Sequence, residues 1–192
     1  VFRVPATLAP DRLAAAMREV AGCCGTSRSW LATSPYWAEL RDRLDAVADR
    51  PEGAALGTAA RSLVERGGDV DLRYGAWHGD WSPWNMATLT DTLLVWDWER
   101  FTTGVPLGFD AVHYDLQRRI QSTSDAEAAV EATLGVAAAL LRPFEVTGAA
   151  AQLTALLYLV DLAARYLADR QAEAGARLGV LGTWLLPVLV RR

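Results

Sequence analysis

His78-Gly79-Asp80-Trp81-Ser82-Pro83-Trp84-Asn85, followed by Asp97-Trp98-Glu99 twelve residues after the asparagine, spaces two carboxylates and an amide as phosphoryl transfer to a hydroxyl requires. Such a transfer divides the labour. One carboxylate accepts the hydroxyl proton, while an amide oxygen and a second carboxylate hold magnesium against the phosphates. Magnesium takes hard oxygen ligands and keeps several waters, so two protein oxygens suffice and no His or Cys cluster is needed. By spacing, Asp80 is the candidate base, and Asn85 and Asp97 are the candidate metal ligands. Gly79 lets the backbone turn just before the base, and Pro83 stiffens the loop carrying Asn85.

The elements that must position these residues are short. Leu72-Arg73-Tyr74 reads as a strand entering the loop. Met86 to Leu89 and Thr92 to Trp96 read as a hairpin around Thr90-Asp91, which returns Asp97 to the side of Asn85. A turn or cap role for Asp80 and Asn85 is the plain alternative. It leaves unexplained why Asp97 ends an apolar run, where a carboxylate without a partner is costly.

HGDWSPWN followed by LLVWDWE resembles the catalytic and metal-binding segments of the aminoglycoside phosphotransferase and choline kinase-like family, which has a protein kinase-like fold. Gly104-Val105-Pro106-Leu107-Gly108-Phe109-Asp110 extends the resemblance, which runs over residues 70 to 120. It implies Asp80 as catalytic base, Asn85 and Asp97 as magnesium ligands, Asp110 as a buried brace and His78 as a support of the loop. It also implies ATP and Mg2+ as co-substrate and cofactor and a small hydroxylated acceptor as partner. Glu99, Trp81 and Trp84 are candidate substrate contacts or supports. By the same resemblance, 1–192 is the helical C-terminal lobe of such an enzyme: leading helices over 1–70, catalytic loop and metal hairpin over 71–100, substrate loop and closing helices over 101–192. The chain has no lysine, because all nineteen basic residues are arginine, and it has no Gly-rich strand pair before the loop. The strand-borne lysine and the β-rich lobe of such enzymes are therefore expected upstream in the native protein. A non-catalytic lobe that keeps the pocket without the nucleotide clamp is the competing reading.

Composition agrees with a globular chain: 192 residues, 52% hydrophobic and 22% charged. A net charge of −4 argues against a broad nucleic-acid-binding surface. No apolar tract is long enough to span a bilayer, and no signal peptide is visible in Val1 to Pro10. Cys23 and Cys24 are adjacent and seldom bridge each other, which favours a reducing cytoplasm.

The fold expected is mainly α with a small β-hairpin, an α+β lobe. Helices are expected over Pro10 to Val20, Ser34 to Asp49 with Trp37, Leu40, Leu44 and Val47 buried, Ala54 to Arg66, and Asp110 to Gln121. Others follow from a Ser124 cap to Leu141, over Thr147 to Ala168 with Asp161 paired to Arg165, and from Ala172 to a bend at Pro187. Cys23 to Thr33 and Arg100 to Gly108 read as loops. Five of the eight tryptophans lie between Trp77 and Trp98. Strand periodicity turns Trp77, Trp96 and Trp98 inward and leaves Trp81 and Trp84 open.

Overall fold

Asp71–Trp77 is the central strand (β2) of a three-stranded antiparallel sheet, flanked by Ser27–Trp30 (β1) and Thr102–Pro106 (β5). The computed structural model describes residues 10–89 and 92–192; the opening stretch before Pro10 and the hairpin turn at Thr90-Asp91 lie outside them. Both flanking strands were expected as loops, and both are edges. Ser27-Arg28-Ser29-Trp30 carries no apolar alternation, and it is held by register with β2 and by an Arg28–Asp71 ion pair at 2.6 Å. In β5, Gly104 and Pro106 disguise the strand, since proline is tolerated at an edge. Pairing with β5 slips between Gly75 and Trp77, a bulge that bends the strand where it delivers the loop carrying Asp80. Gly75 is required there, because a Cβ would meet the Ala21 carbonyl oxygen at the end of the first helix.

The leading helices are Pro10–Gly22 (α1), Pro35–Asp45 (α2) and Gly53–Gly67 (α3). Ser34 caps α2 by accepting from the Trp37 N–H at 3.1 Å. That helix stops at Asp45 and unwinds through turns to Arg50, whose position before Pro51 disfavours further helix. Its inward face is Tyr36, Leu40 and Leu44, while Trp37 is only partly buried.

Phe109–Ser122 (α4) follows the sheet, with Val112, Leu116 and Ile120 buried as their spacing requires. The next stretch divides into Ala126–Gly135 (α5) and Ala137–Leu141 (α6). Asp125, rather than Ser124, caps α5 by accepting from the Ala128 N–H. No helix forms from Ala172. Gly175, Gly179 and Gly182 weaken it, and the Glu52 carboxylate accepts the backbone N–H groups of Leu181 and Gly182. Only Leu186–Arg191 (α8) closes the chain, with Pro187 in its first turn.

Gly148–Ala168 (α7) is the axis of the helical layer and packs on α2, α3, α4, α5 and α6. Its leucines 153, 156, 157, 159, 162 and 167 are all buried, each stabilising the fold by roughly 1.5–3 kcal/mol. Asp161 and Arg165 do not pair along it. Asp161 is buried and takes both Arg43 guanidinium nitrogens, at 3.0 and 2.8 Å, so Arg43 ties α2 to α7. Arg165 is thereby free to reach the loop that carries Asp80. Among the described residues no single helix is long and apolar enough to cross a membrane. The molecule is mainly helical with short antiparallel strands, an α+β fold.

Candidate active site

Trp77, the last residue of β2, is buried with its ring edge-on to Phe109, centroids 5.3 Å apart. The next three residues leave the sheet as a tight loop fixed at nearly every backbone polar atom. The Asp110 carboxylate accepts from the N–H groups of His78, at 2.8 Å, and Gly79, at 3.2 Å. Arg165 reaches from α7 across the Trp77 ring and donates to the Gly79 carbonyl at 2.7 Å. Gly79 has φ +89° and lies against the Arg100 backbone, so only glycine fits.

His78 is wholly buried between Trp81 and Trp98. Its Nδ1 accepts from the Asp80 N–H at 3.2 Å, so its proton is on Nε2, which donates to the Trp96 carbonyl at 2.9 Å. The ring thus links the loop to the far end of the hairpin. Burial lowers its pKa against the opposing pull of the Trp96 carbonyl, Asp80 and Asp97, and keeps it neutral.

Asp80 emerges into a cleft of about 170 Å³ whose walls include Glu99, Arg100, His113, Arg165, Tyr166 and Asp169. Its Oδ2 accepts from Asn85 Nδ2 at 3.0 Å, and its Oδ1 from His113 Nε2, also at 3.0 Å. Partial burial raises its pKa. The His113 hydrogen bond, the charge of Arg165 and the Asn85 amide outweigh this and hold it below the ordinary aspartate value. His113 is a buried ring whose pKa is lowered by desolvation, so the contact is a hydrogen bond from a neutral imidazole rather than an ion pair.

Asn85 is buried, and its amide also donates to the Asp80 carbonyl at 3.0 Å. Among the described residues no donor reaches its Oδ1. Met86–Thr88 (β3) and Leu93–Val95 (β4) form the expected antiparallel hairpin, and the Trp96 N–H donates to the Asn85 carbonyl. Asp97 follows directly. It is exposed, sits in the left-handed region at φ 67°, and its carboxylate has no hydrogen bond among the described residues. Two hard oxygens, one amide and one carboxylate, thus lie on neighbouring ends of one hairpin without protein donors. That donor set suits a magnesium ion that keeps its waters. No group of three or more His, Cys, Asp or Glu side chains with metal-site geometry occurs among the described residues.

The tryptophans divide differently from the strand-alternation expectation. Trp77 is buried, as expected, but Trp96 and Trp98 are 45% and 43% exposed, because the left-handed Asp97 between them ends the alternation. Trp81 is completely buried and offers no face to a solute, whereas Trp84 is exposed. Glu99 is exposed on the cleft wall beside Arg100, which pairs with Asp169 of the α7 end at 2.9 Å. From sequence, His113 on its helix favours a structural role over one at the site, and Arg165 is expected to pair with Asp161; the structure brings both to the loop. His113 falls one helical turn after Asp110, and Arg165 is an isolated cation in an apolar helix. Both patterns point inward.

Burial pushes the Asp110 carboxyl up to about 7, against the two N–H groups and Arg165, which favour its charged form. Unfolded, it titrates near the ordinary value of about 3.9. Between about pH 4 and pH 7 the folded chain therefore retains a proton that the unfolded chain has released, and this group's contribution to stability falls as pH rises, by at most about 4 kcal/mol. Denaturant unfolding at pH 5 and pH 7.5 should show a shallower decline for Asp110→Asn than for wild type. Equal declines would assign the pH dependence to other groups.

No family model matches the sequence, and no curated protein matches it. Among solved structures the chain is similar to a glucosamine kinase, at 19% identity and a TM-score of 0.45, over 96% of this chain and 50% of that one. It is similar also to a glucosamine kinase in complex with glucosamine, ADP and inorganic phosphate, at 16% identity and a TM-score of 0.46, over 96% and 52%. The chain spans about half the length of the structures it matches.

Proposed function

We propose that residues 1–192 form a catalytic lobe for ATP- and magnesium-dependent phosphoryl transfer to a hydroxyl of a small molecule. The observation that carries this reading is the Asp80 carboxylate, held by two donors in a cleft, with Asn85 bonded to it and Asp97 at the far end of the hairpin that Asn85 opens. Asp80 accepts and orients the acceptor hydroxyl. Its depressed pKa makes it a weak base, which suits a reaction whose transition state is loose and whose hydroxyl proton leaves late. Asp110, His78 and Arg165 hold the loop so that little reorganisation remains at the moment of reaction. Asn85 and Asp97 would hold Mg2+, which neutralises charge developing on the phosphates. Asp80, Glu99 and Asp169 outnumber Arg100 and Arg165 in the cleft lining, a small acidic excess that suits an acceptor carrying an amine, such as an amino sugar, an amino alcohol or an antibiotic-like molecule. The absence of lysine supports the second reading, a binding lobe without phosphoryl transfer.

Two measurements separate these readings. Mg2+ should raise the unfolding temperature of the wild type and not of Asp97→Ala. Incubated with Mg2+, ATP and a panel of hydroxylated amines and sugars, the native full-length protein should release ADP only when an acceptor is present. Metal stabilisation without acceptor-dependent ADP would select the binding lobe. Loss of both would remove the metal site and the reaction together.

A further inference from the structure

Asp80 is held from two directions that differ in kind. Asn85 belongs to the same loop and moves with it, whereas His113 projects from α4, an element anchored in the core. His113 is 1% exposed, and its second ring nitrogen is not idle: Nδ1 lies 2.8 Å from the Tyr158 hydroxyl of α7. Only one proton arrangement satisfies all three groups. Asp80 Oδ1 is an acceptor, so the imidazole proton must be on Nε2. Nδ1 is then a bare acceptor, and the Tyr158 O–H must donate to it. A doubly protonated ring would be a buried cation near Arg165, with no acceptor for its Nδ1 proton except a hydroxyl already flanked by aromatic rings.

We propose that His113 is a positioning residue for Asp80, locked by Tyr158 in its neutral Nε2–H form so that helices α4 and α7 set the orientation of the catalytic carboxylate. This assignment rests on the phosphotransfer reading above. A carboxylate on a loop otherwise turns about its terminal torsion, for which the energy wells are broad. The His113 donor fixes that torsion from the core. Tyr158 is packed edge-on against Phe109 at 5.7 Å and Trp77 at 6.4 Å, so the lock ends in the buried aromatic core.

Three variants of the full chain test the lock. His113→Leu removes the donor and should lower kcat about tenfold to a hundredfold, the loss of one hydrogen bond to a charged group, with acceptor KM changed little. His113→Gln keeps an N–H donor at the distance of Nε2 and should restore most of that loss. Tyr158→Phe keeps the volume, releases Nδ1 and should show an intermediate loss. Equal losses in the Leu and Gln variants, or a loss carried in KM, would reduce His113 to a packing residue. Nitrogen-15 spectra give an answer independent of turnover. Wild type should show His113 protonated on Nε2 only; Asp80→Ala should move the Nε2 signal and Tyr158→Phe the Nδ1 signal. A protonated Nδ1, or an Nε2 signal indifferent to Asp80→Ala, overturns the lock even if the chain transfers no phosphate. A correct spectrum in a chain without turnover leaves the lock standing and overturns its catalytic purpose.

Discussion

Asp80→Asn is expected to leave the fold intact and to lower phosphoryl transfer by about 10²–10⁴-fold, the range spanned by loss of a positioned acid–base group. The change is isosteric, but chemically it is not neutral. Both oxygens of Asp80 now accept, one from His113 and one from Asn85. An asparagine offers one oxygen and one NH2, so one of those donors must face another donor. The stability cost is that of one unsatisfied hydrogen bond, about 1–3 kcal/mol, and is far smaller than the catalytic loss. The acceptor hydroxyl meanwhile loses a charged partner and its proton loses a destination. Single-turnover kinetics with saturating Mg2+ and ATP, compared with nucleotide affinity measured separately, would show the effect in turnover alone. Unchanged turnover would remove Asp80 from the reaction.

Phe109→Ala should be strongly destabilising, costing about 3–5 kcal/mol. Phe109 is completely buried at the start of α4 and meets Tyr36, Trp77 and Tyr158 edge-on, at centroid distances of 5.9, 5.3 and 5.7 Å. These rings belong to α2, β2 and α7, so one side chain closes the junction of the helical layer and the sheet. Truncation leaves a cavity whose walls are large and poorly able to collapse. The damage reaches the candidate site as well, since Trp77 precedes the loop carrying Asp80 and Tyr158 bonds His113. Urea unfolding should therefore show a greatly lowered midpoint, with Phe109→Leu losing much less. A loss below about 1.5 kcal/mol, the scale of volume-conserving swaps, would mean that the surrounding rings close the gap.

The grouping of Asp80, Asn85 and Asp97 was more legible in the sequence than the contacts that hold it. Asp80, Asn85 and Asp97 are separated by a loop and a hairpin, so their grouping is a local matter that spacing can express. Helices α1, α3, α4 and α7 were legible for the same reason, because their apolar periodicity is internal to each. The edge strands were not. Ser27–Trp30 and Thr102–Pro106 acquire strand geometry from β2, more than thirty residues away from the first and about thirty from the second, and neither carries an alternating pattern. Arg43 and Arg165 misled in a related way. Each looked like part of a charged face or a helical i,i+4 pair, yet each extends its guanidinium to another element. Long side chains with several donors form the contacts least readable from local sequence. The inward orientation expected for Trp96 and Trp98 failed at a single residue, the left-handed Asp97, whose backbone no periodicity anticipates.

The division of the indoles has an optical consequence. Trp77, Trp81 and Trp184 are shielded from water, whereas Trp84, Trp96 and Trp98 are roughly half exposed and border the hairpin that carries Asp97. Buried indoles emit at shorter wavelength and resist soluble quenchers; exposed ones emit at longer wavelength and are quenched by iodide. The protein therefore carries two spectrally separable reporters without any label. The blue component follows the integrity of the core; Trp30 of β1, 62% exposed, also feeds the red, quenchable component, so in a Trp30→Phe variant that component follows whatever settles over the hairpin.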